Sequence, residues 1–85
     1  MLSREEILEG LKRILCIMDP SKKDLINKAD ENTRLQEDLG LASVSLLYLV
    51  VAIEEEFDIE FDNLGVEDFK TVGQTIDYIA SKLED

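Results

Sequence analysis

The first of three helical patterns in the 85-residue chain follows Ser3. Ser3 and Glu6 have the spacing of a capping box, in which each side chain accepts a hydrogen bond from the other residue's backbone N–H. Apolar residues then recur every three or four positions until the Asp19-Pro20 pair, which stops a helix. The pattern predicts an amphipathic helix whose apolar face contains Ile7, Leu8, Leu11, Ile14, Leu15 and Met18.

The second pattern predicts a helix from about Val44 to Glu56 or Phe57. Its many β-branched residues are also typical of strands, but its length and the "EEEF" that ends it favour a helix. Apolar residues cover much of the circumference, so we expect this helix to be central and to contact several others. They are Val44, Leu46, Leu47, Leu49, Val50, Val51 and Ile53.

The third pattern begins at Thr71, which forms a second capping box with Gln74 and precedes an apolar face ending at Leu83. Residues 20–42 predict a long connection with one helical turn inside it, and a second connection has room for a short helix around Val66–Phe69. The fold class is therefore predicted to be all-α. We expect a small four-helix bundle with three longer helices, one short helix and a long first loop, forming a single domain over residues 1–85.

The charge is unevenly divided along the chain. Residues 1–36 hold seven Lys or Arg and seven Asp or Glu, whereas residues 37–85 hold thirteen acids and two lysines, so the second part carries the whole net charge of −11. Such a field repels nucleic acids and anionic membranes and favours partners with basic patches. The same excess of acid is also typical of a small protein kept soluble by its charge, and the composition alone leaves both interpretations open.

The lengths of the apolar runs and the composition of the first residues indicate where in the cell the protein is expected. The longest apolar run, Leu46–Ile53, is much shorter than the roughly 20 residues that span a bilayer, so we expect no membrane insertion. The opening residues show no basic segment followed by an apolar one, which favours a cytoplasmic protein. We also expect a monomer.

The residue types present exclude most autonomous catalysis. The chain has no histidine, which removes the usual base for a serine or cysteine nucleophile, and it has no glycine-rich phosphate loop. Cys16 is interpreted as an apolar filler beside a helix core. Asp58, Glu60 and Asp62 resemble the start of a calcium loop, but its sixth and twelfth positions hold Asn63 and Phe69 instead of glycine and glutamate. We therefore predict neither an enzyme nor a metal site.

Ser43 lies between the turn "DLG" and the second helix, and two interpretations of it remain open. A serine before a helix is a favoured N-cap, because its oxygen accepts a hydrogen bond from a free backbone N–H. The same place exposes the hydroxyl at a helix N-terminus, where N–H groups and the helix dipole favour a phosphate. Either role is compatible with the sequence.

The order of these features resembles the acyl carrier protein family. The resemblance covers nearly the whole chain and is strongest over "LQEDLGLASVSLLYLVVAIEEEFDIEF". It implies that Ser43 accepts phosphopantetheine from coenzyme A through a separate phosphopantetheinyl transferase, and that the arm then carries acyl groups as thioesters. It further implies a role in fatty-acid, lipid or polyketide biosynthesis, with docking to acyl-transfer or synthase enzymes that present basic patches.

The resemblance also assigns candidate surfaces. Docking to partner enzymes is expected to involve Leu41, Val44, Tyr48, Glu54 and Glu55, and an acyl chain is expected to be sheltered by Leu46, Val50, Ile53, Phe61 and Ile76. Tyr48 is equally compatible with a partly buried aromatic residue at the border of the helix, and the five shelter residues with ordinary core.

Three positions depart from the family pattern. The family usually has an aspartate directly before the serine and acids two and five positions after it, where this chain has Ala42, Ser45 and Tyr48. These departures favour a specialised carrier over a housekeeping one, and an engineered alanine at position 42 is equally compatible with them. The alternative function is an acidic helical interaction module without a prosthetic group, in which Ser43 is only a cap.

Overall fold

The computed structural model describes residues 2–61 and 69–84, which form helices joined by irregular segments. No named strand occurs in these ranges, which confirms the predicted all-α class. The predicted short helix around Val66–Phe69 lies outside the described residues except for Phe69, which is buried and not helical. The elements are α1 (Arg4–Met18), a 3-10 turn (Pro20–Lys22), α2 (Lys23–Asn27), α3 (Ser43–Phe57) and α4 (Val72–Glu84).

Both predicted capping boxes are present. The Glu6 N–H donates to Ser3 Oγ over 3.1 Å, and the Ser3 N–H donates to Glu6 Oε1 over 3.0 Å. At α4, the Gln74 N–H donates to Thr71 Oγ1 over 3.1 Å and the Thr71 N–H to Gln74 Oε1 over 3.2 Å. Each box satisfies backbone donors that a helix N-terminus leaves free, which explains why α1 and α4 start where the sequence predicts.

The core is built by α1 packing against both α3 and α4. Ile7, Leu46, Ile53, Ile76 and Ile79 are fully buried and belong to one apolar cluster. The first connection adds Ile26, Leu35 and Leu39 to this cluster, so the long loop is anchored from within. No helix among the described residues is long and apolar enough to cross a bilayer.

Backbone hydrogen bonds join the first connection to the segment before α4. The Leu35 N–H donates to the Lys70 carbonyl over 2.9 Å, and the Val72 N–H donates to the Thr33 carbonyl over 2.9 Å. A third bond, of 2.8 Å, runs from the Gly73 N–H to the Glu31 carbonyl, where a Cβ on Gly73 would lie only 2.9 Å from the same oxygen. Glycine at position 73 therefore allows the loop to pack directly on the start of α4.

Candidate functional site

Ser43 is the first residue of α3, and its side chain does not cap the helix. The N-cap position belongs to Ala42, whose extended backbone (φ −77°, ψ 162°) turns into the helix without a side-chain hydrogen bond. Of the two interpretations that the sequence left open for Ser43, the N-cap is therefore wrong, because the cap position lies one residue earlier. Its side chain is exposed.

Two features define the turn before Ser43: a buried leucine and a glycine with left-handed backbone. Leu39 is fully buried, and its carbonyl accepts a 2.7 Å hydrogen bond from Lys22 Nζ in the 3-10 turn. Gly40 has a φ of 70°, a left-handed conformation that side chains with a Cβ adopt at a cost. The glycine of "DLG" is thus required by the backbone that delivers Ser43 to the start of α3.

The acids closest in sequence to this turn are paired with Arg34. Arg34 donates to both carboxylate oxygens of Asp38 over 3.1 and 3.3 Å, and it also forms an ion pair with Glu37. The Arg34 N–H donates a further 2.8 Å bond to Asp38. The Arg34 guanidinium, together with this backbone bond, holds the pKa of Asp38 below its usual range. Asp38 thus organises the loop as well as adding negative charge.

One polar contact reaches Ser43 from the loop. The side-chain amide of Gln36 lies 3.4 Å from Ser43 Oγ, a long hydrogen bond in which the amide donates. The resemblance gives no role to Gln36. It stands seven residues before Ser43 in an irregular segment, so no periodic pattern signals the contact.

The first turn of α3 suits a phosphate on Ser43. It contains no acidic residue, unlike the first turn of α1, which contains Glu5 and Glu6. Without a capping side chain, the N–H groups at the start of α3 keep their donor capacity and the positive end of the helix dipole. The residues present therefore fit a phosphodiester attached at Ser43, and the exposed hydroxyl is accessible to a transferring enzyme.

Four apolar side chains are exposed along one side of α3. Val44, Leu47, Tyr48 and Val51 have 56%, 57%, 66% and 52% of their surface exposed. Their spacing of three, four and seven residues places them on one face, hereafter the α3 stripe. Tyr48 is thus exposed, which contradicts the alternative of a partly buried aromatic. Leu47 and Val51 were not among the predicted docking residues, although this spacing relative to Val44 could have identified them.

The remaining predicted docking residues differ in exposure. Glu55 is exposed, whereas Leu41 and Glu54 are partly buried. One oxygen of Glu54 accepts a 2.9 Å hydrogen bond from the Phe61 N–H, so this carboxylate also supports the chain beyond α3. The other neighbouring acid, Glu56, forms a 3.1 Å ion pair with Arg13 of α1. Glu55 is therefore the acid of "EEEF" with no such bond among the described residues.

The five residues predicted to shelter an acyl chain lie in or against the core. Leu46, Ile53 and Ile76 are fully buried, while Val50 and Phe61 are partly buried and pack on the same cluster. Phe61 also contacts the rings of Phe69 and Tyr78, with centroids 5.6 and 4.7 Å away. The five side chains thus all lie in or against one apolar cluster, and Phe61 contacts Tyr78 of α4.

The calcium-like acids fall partly within the described chain. Asp58 ends α3 in a left-handed conformation (φ 54°, ψ 51°), and its N–H donates to the Glu54 carbonyl. Asp62 lies outside the described residues. In residues 2–61 and 69–84, no three His, Cys, Asp or Glu side chains are grouped closely enough to hold a metal ion. Helix termination accounts for the position of Asp58.

Comparison with known proteins places these features in a family context. A family model described as the phosphopantetheine attachment site matches residues 5–79. The acyl carrier protein of Thermotoga maritima is 36% identical over 85 residues, covering 98% of this chain and 99% of that protein. The mitochondrial acyl carrier protein of Saccharomyces cerevisiae is 37% identical over 81 residues, covering 94% of this chain but 65% of that protein. An Acidothermus cellulolyticus acyl carrier protein is 36% identical over 80 residues, covering 94% of this chain and 92% of that protein.

Proposed function

The chain belongs to the acyl carrier protein family, and on that premise we propose that Ser43 is the residue that bears its covalently attached phosphopantetheine. The protein is a carrier and not an enzyme. The observation that carries the assignment is the exposed Ser43 hydroxyl at the first position of a helix with no acid in its first turn. No other serine combines this position with the preceding "DLG" turn.

Electrostatics supports the attachment at this residue. A phosphodiester on Ser43 would lie beside the N–H groups of the first turn of α3, which favour negative charge. The Gln36 amide, 3.4 Å from Ser43 Oγ, supplies a further donor on the loop side. Glu37 and Asp38, the acids of the loop, are both paired with Arg34, which reduces their repulsion of a phosphate.

The chain itself needs only to anchor the phosphopantetheine arm, present it to partner enzymes and shelter the acyl group. The bound arm supplies a thiol that holds an acyl group as a thioester, and tethering gives that group a high effective concentration at a docked enzyme. The "DLG" turn, with Leu39 buried and Gly40 left-handed, would hold the attachment point. An acyl chain would be covered by Leu46, Val50, Ile53, Phe61 and Ile76. No base in the chain is required, since the transferase provides one.

Partners, pathway and compartment are further parts of the proposal. We expect transient docking on a phosphopantetheinyl transferase and on acyl-transfer or synthase enzymes with basic patches, through Leu41, Val44, Tyr48, Glu54 and Glu55. Ala42, Ser45 and Tyr48 support service in a dedicated lipid or polyketide pathway. We propose a cytoplasmic monomer; because one relative is named as mitochondrial, fractionation of source cells with organelle markers is the appropriate test.

Intact-mass spectrometry tests the attachment site. The chain is incubated with coenzyme A, Mg²⁺ and a broad-specificity phosphopantetheinyl transferase, beside Ser43→Ala and the matched control Ser45→Ala. We expect one phosphopantetheine adduct on the wild type and on Ser45→Ala, and none on Ser43→Ala. Because Ser43 is not the N-cap, its replacement should change the free energy of unfolding by no more than about 0.5 kcal/mol.

The outcomes separate the candidate functions. An adduct that persists on folded Ser43→Ala would place the attachment elsewhere. A wild-type chain that stays unmodified with several transferases, while a known carrier is modified beside it, would instead favour the interaction module. Circular dichroism of each variant establishes that a missing adduct is not caused by unfolding.

A further inference from the structure

A second surface of the molecule lies between α1 and α2. The two helices border an open cleft of about 410 Å³, hereafter the α1–α2 cleft. Its lining includes Lys12, Arg13 and Ile17 of α1 and Lys23 and Asn27 of α2. No residue of the α3 stripe, and none of the turn before Ser43, is among the described residues that line it. The cleft is therefore a separate surface from the one proposed to dock enzymes.

The α1–α2 cleft is basic in a chain that is strongly acidic. Lys12, Arg13 and Lys23 line it, and Glu9 is the single acid among its described lining residues. These side chains sum to a charge of +2, against −11 for the whole chain. The sign of the charge at this surface is thus opposite to that of the molecule.

Two of the three cations have no carboxylate partner. All three arginines of the chain form ion pairs, and Arg13 pairs with Glu56 over 3.1 Å. Lys12 instead donates a 3.1 Å hydrogen bond to the Asn27 carbonyl, and Lys23 is exposed. Neither lysine forms an ion pair with a carboxylate of the described chain. Both ammonium groups therefore keep their charge, and most of their donor capacity, for an external acid.

An exposed apolar side chain borders these lysines. Ile17 is 79% exposed, more than any other large apolar side chain of the described residues. It lies one helical turn beyond Arg13 and lines the same cleft. A single exposed apolar residue needs no explanation, but this one is placed beside two cations that lack partners. The cleft therefore offers apolar and electrostatic contacts together.

We infer that the α1–α2 cleft binds an acidic segment of a partner protein that carries one large apolar side chain. The carboxylates of that segment face Lys12 and Lys23, and its apolar side chain covers Ile17. Charge complementarity selects an acidic segment, because a neutral or basic one would cover the cleft and leave both ammonium groups without a counter-charge. Such a partner is opposite in charge to the enzymes proposed to dock at α3. Its binding leaves Ser43 accessible.

Larger anionic partners fit the cleft less well. A nucleic acid or an anionic membrane presents many charges over a long surface, and the net charge of −11 repels it. A short acidic segment interacts mainly within the Debye length, about 8 Å at physiological salt. At that range it meets Lys12 and Lys23, whereas thirteen of the acids belong to residues 37–85, which contribute nothing to the described lining. The cleft therefore favours a short acidic segment over an extended polyanion.

Nuclear magnetic resonance with a defined peptide tests the inference. The probe is a capped peptide in which one phenylalanine stands between two pairs of glutamates. Matched peptides replace the glutamates by glutamine or the phenylalanine by serine. Each is titrated into the full, unmodified, ¹⁵N-labelled chain at low and high NaCl. We expect saturable amide shift changes that are largest at Lys12–Ile17 and Lys23–Asn27, with weaker binding of both matched peptides and of the probe at high salt.

Variants of the chain localise the contact. Replacing both lysines, Lys12→Gln with Lys23→Gln, should weaken binding by roughly tenfold at low salt and remove most of its salt dependence. Ile17→Ser should weaken binding by roughly fivefold, because it removes the apolar side chain that the segment covers. Lys70→Gln and Val51→Ser are matched controls, since both residues are exposed and lie outside the cleft. Neither control should change the affinity.

Four results would overturn the inference. The first is the absence of saturable binding to the wild type, and the second is shift changes as large along the α3 stripe as in the cleft. Equal losses from Val51→Ser and Ile17→Ser would indicate nonspecific adhesion. Equal binding of the glutamine peptide would indicate a purely apolar contact. Circular dichroism of each variant establishes that a loss of binding is not caused by unfolding.

The same lysine variant identifies other occupants. If a single-stranded oligonucleotide or phosphatidylglycerol vesicles bind through Lys12 and Lys23 more tightly than the peptide, the occupant is a nucleic acid or a membrane and the inference is wrong. Shift changes at the cleft and at Glu55 that grow with protein concentration would make it a second copy. The peptide needs no prosthetic group, so its failure to bind leaves the attachment at Ser43 untouched. A chain that binds it without accepting phosphopantetheine refutes the attachment alone.

Discussion

Gly40→Ala perturbs the turn that delivers Ser43 to α3. Gly40 has a φ of 70°, and alanine in this left-handed region costs about 1–2 kcal/mol of folding free energy. Part of this cost is offset because alanine has less conformational freedom than glycine in the unfolded chain. The new Cβ would also lie 2.6 Å from Lys22 Nζ, so the ammonium must move and weaken its bond to the Leu39 carbonyl. That bond contributes about 1 kcal/mol.

The two contributions give an expected loss of about 1–2 kcal/mol in the free energy of unfolding. Urea unfolding followed by circular dichroism should show a midpoint lower by about 1 M, for a slope near 1–1.5 kcal/mol/M. Gly40→Asn is the matched control, because asparagine tolerates the left-handed region yet brings the same Cβ. Its loss should be about half that of alanine.

Lys22→Met separates the backbone cost from the contact. Methionine lacks the ammonium, so Gly40→Ala in this background should lose only the backbone part, still about 1 kcal/mol. The reasoning is refuted if Gly40→Asn destabilises as much as Gly40→Ala while Gly40→Ala is harmless in the Lys22→Met background. That pair of results would assign the requirement for glycine to the Lys22 contact and not to the left-handed φ.

Three further predictions concern the packing and charge around this turn. Gly73→Ala should lower the free energy of unfolding by about 1–3 kcal/mol in urea titrations, since its Cβ would press on the Glu31 carbonyl, and no change would contradict the close approach. Ile76→Ala should cost about 2–5 kcal/mol in the same assay, as expected for a fully buried side chain; a cost below 1 kcal/mol would show that the core collapses around it. The pKa of Asp38 is lowered by Arg34, so its contribution is present above its unfolded pKa of about 3.9 and is lost as pH falls through the lower folded value. Asp38→Asn should therefore lose less stability than the wild type in acid titrations below about pH 4, and equal losses would contradict the pairing.

Local signals predicted most of the helical structure. The capping boxes at Ser3 and Thr71 are short-range hydrogen-bond patterns, and the structure starts α1 and α4 at them. The start of α3 carries no such signal, because Ala42 caps it with backbone alone. Serine is a favoured N-cap residue, so a serine next to a helix start that has no capping side chain is easily interpreted as the cap. This explains why the cap interpretation was placed on Ser43, one residue after the N-cap.

The contacts that the sequence did not predict are long-range. Pairing of the Arg34 segment with Thr71 and the 2.7 Å bond from Lys22 to Leu39 join residues 17 or more positions apart, and neither follows a periodic pattern. The exposed face of α3 was predicted only in part, at Val44 and Tyr48, for another reason. A helix that is apolar on most of its circumference does not reveal which residues face the core, so the sequence analysis counted Leu47 and Val51 among the apolar positions without separating core from surface.

Two cations of the first connection offset acids near Ser43, the proposed attachment residue, in a chain of net charge −11. Arg34 pairs with Glu37 and Asp38, and Lys22 lies against the turn that precedes Ala42. Arg34 and Lys22, the cations near the start of α3 among the described residues of the first connection, thus hold the loop and offset its acids. The uncompensated acid on this face lies at Glu55, two turns beyond Tyr48. An enzyme that docks through Val44 and Tyr48, as proposed above, therefore meets little unpaired negative charge beside Ser43 and an unpaired carboxylate at Glu55, so the position of the charge and not only its amount sets the electrostatic fit.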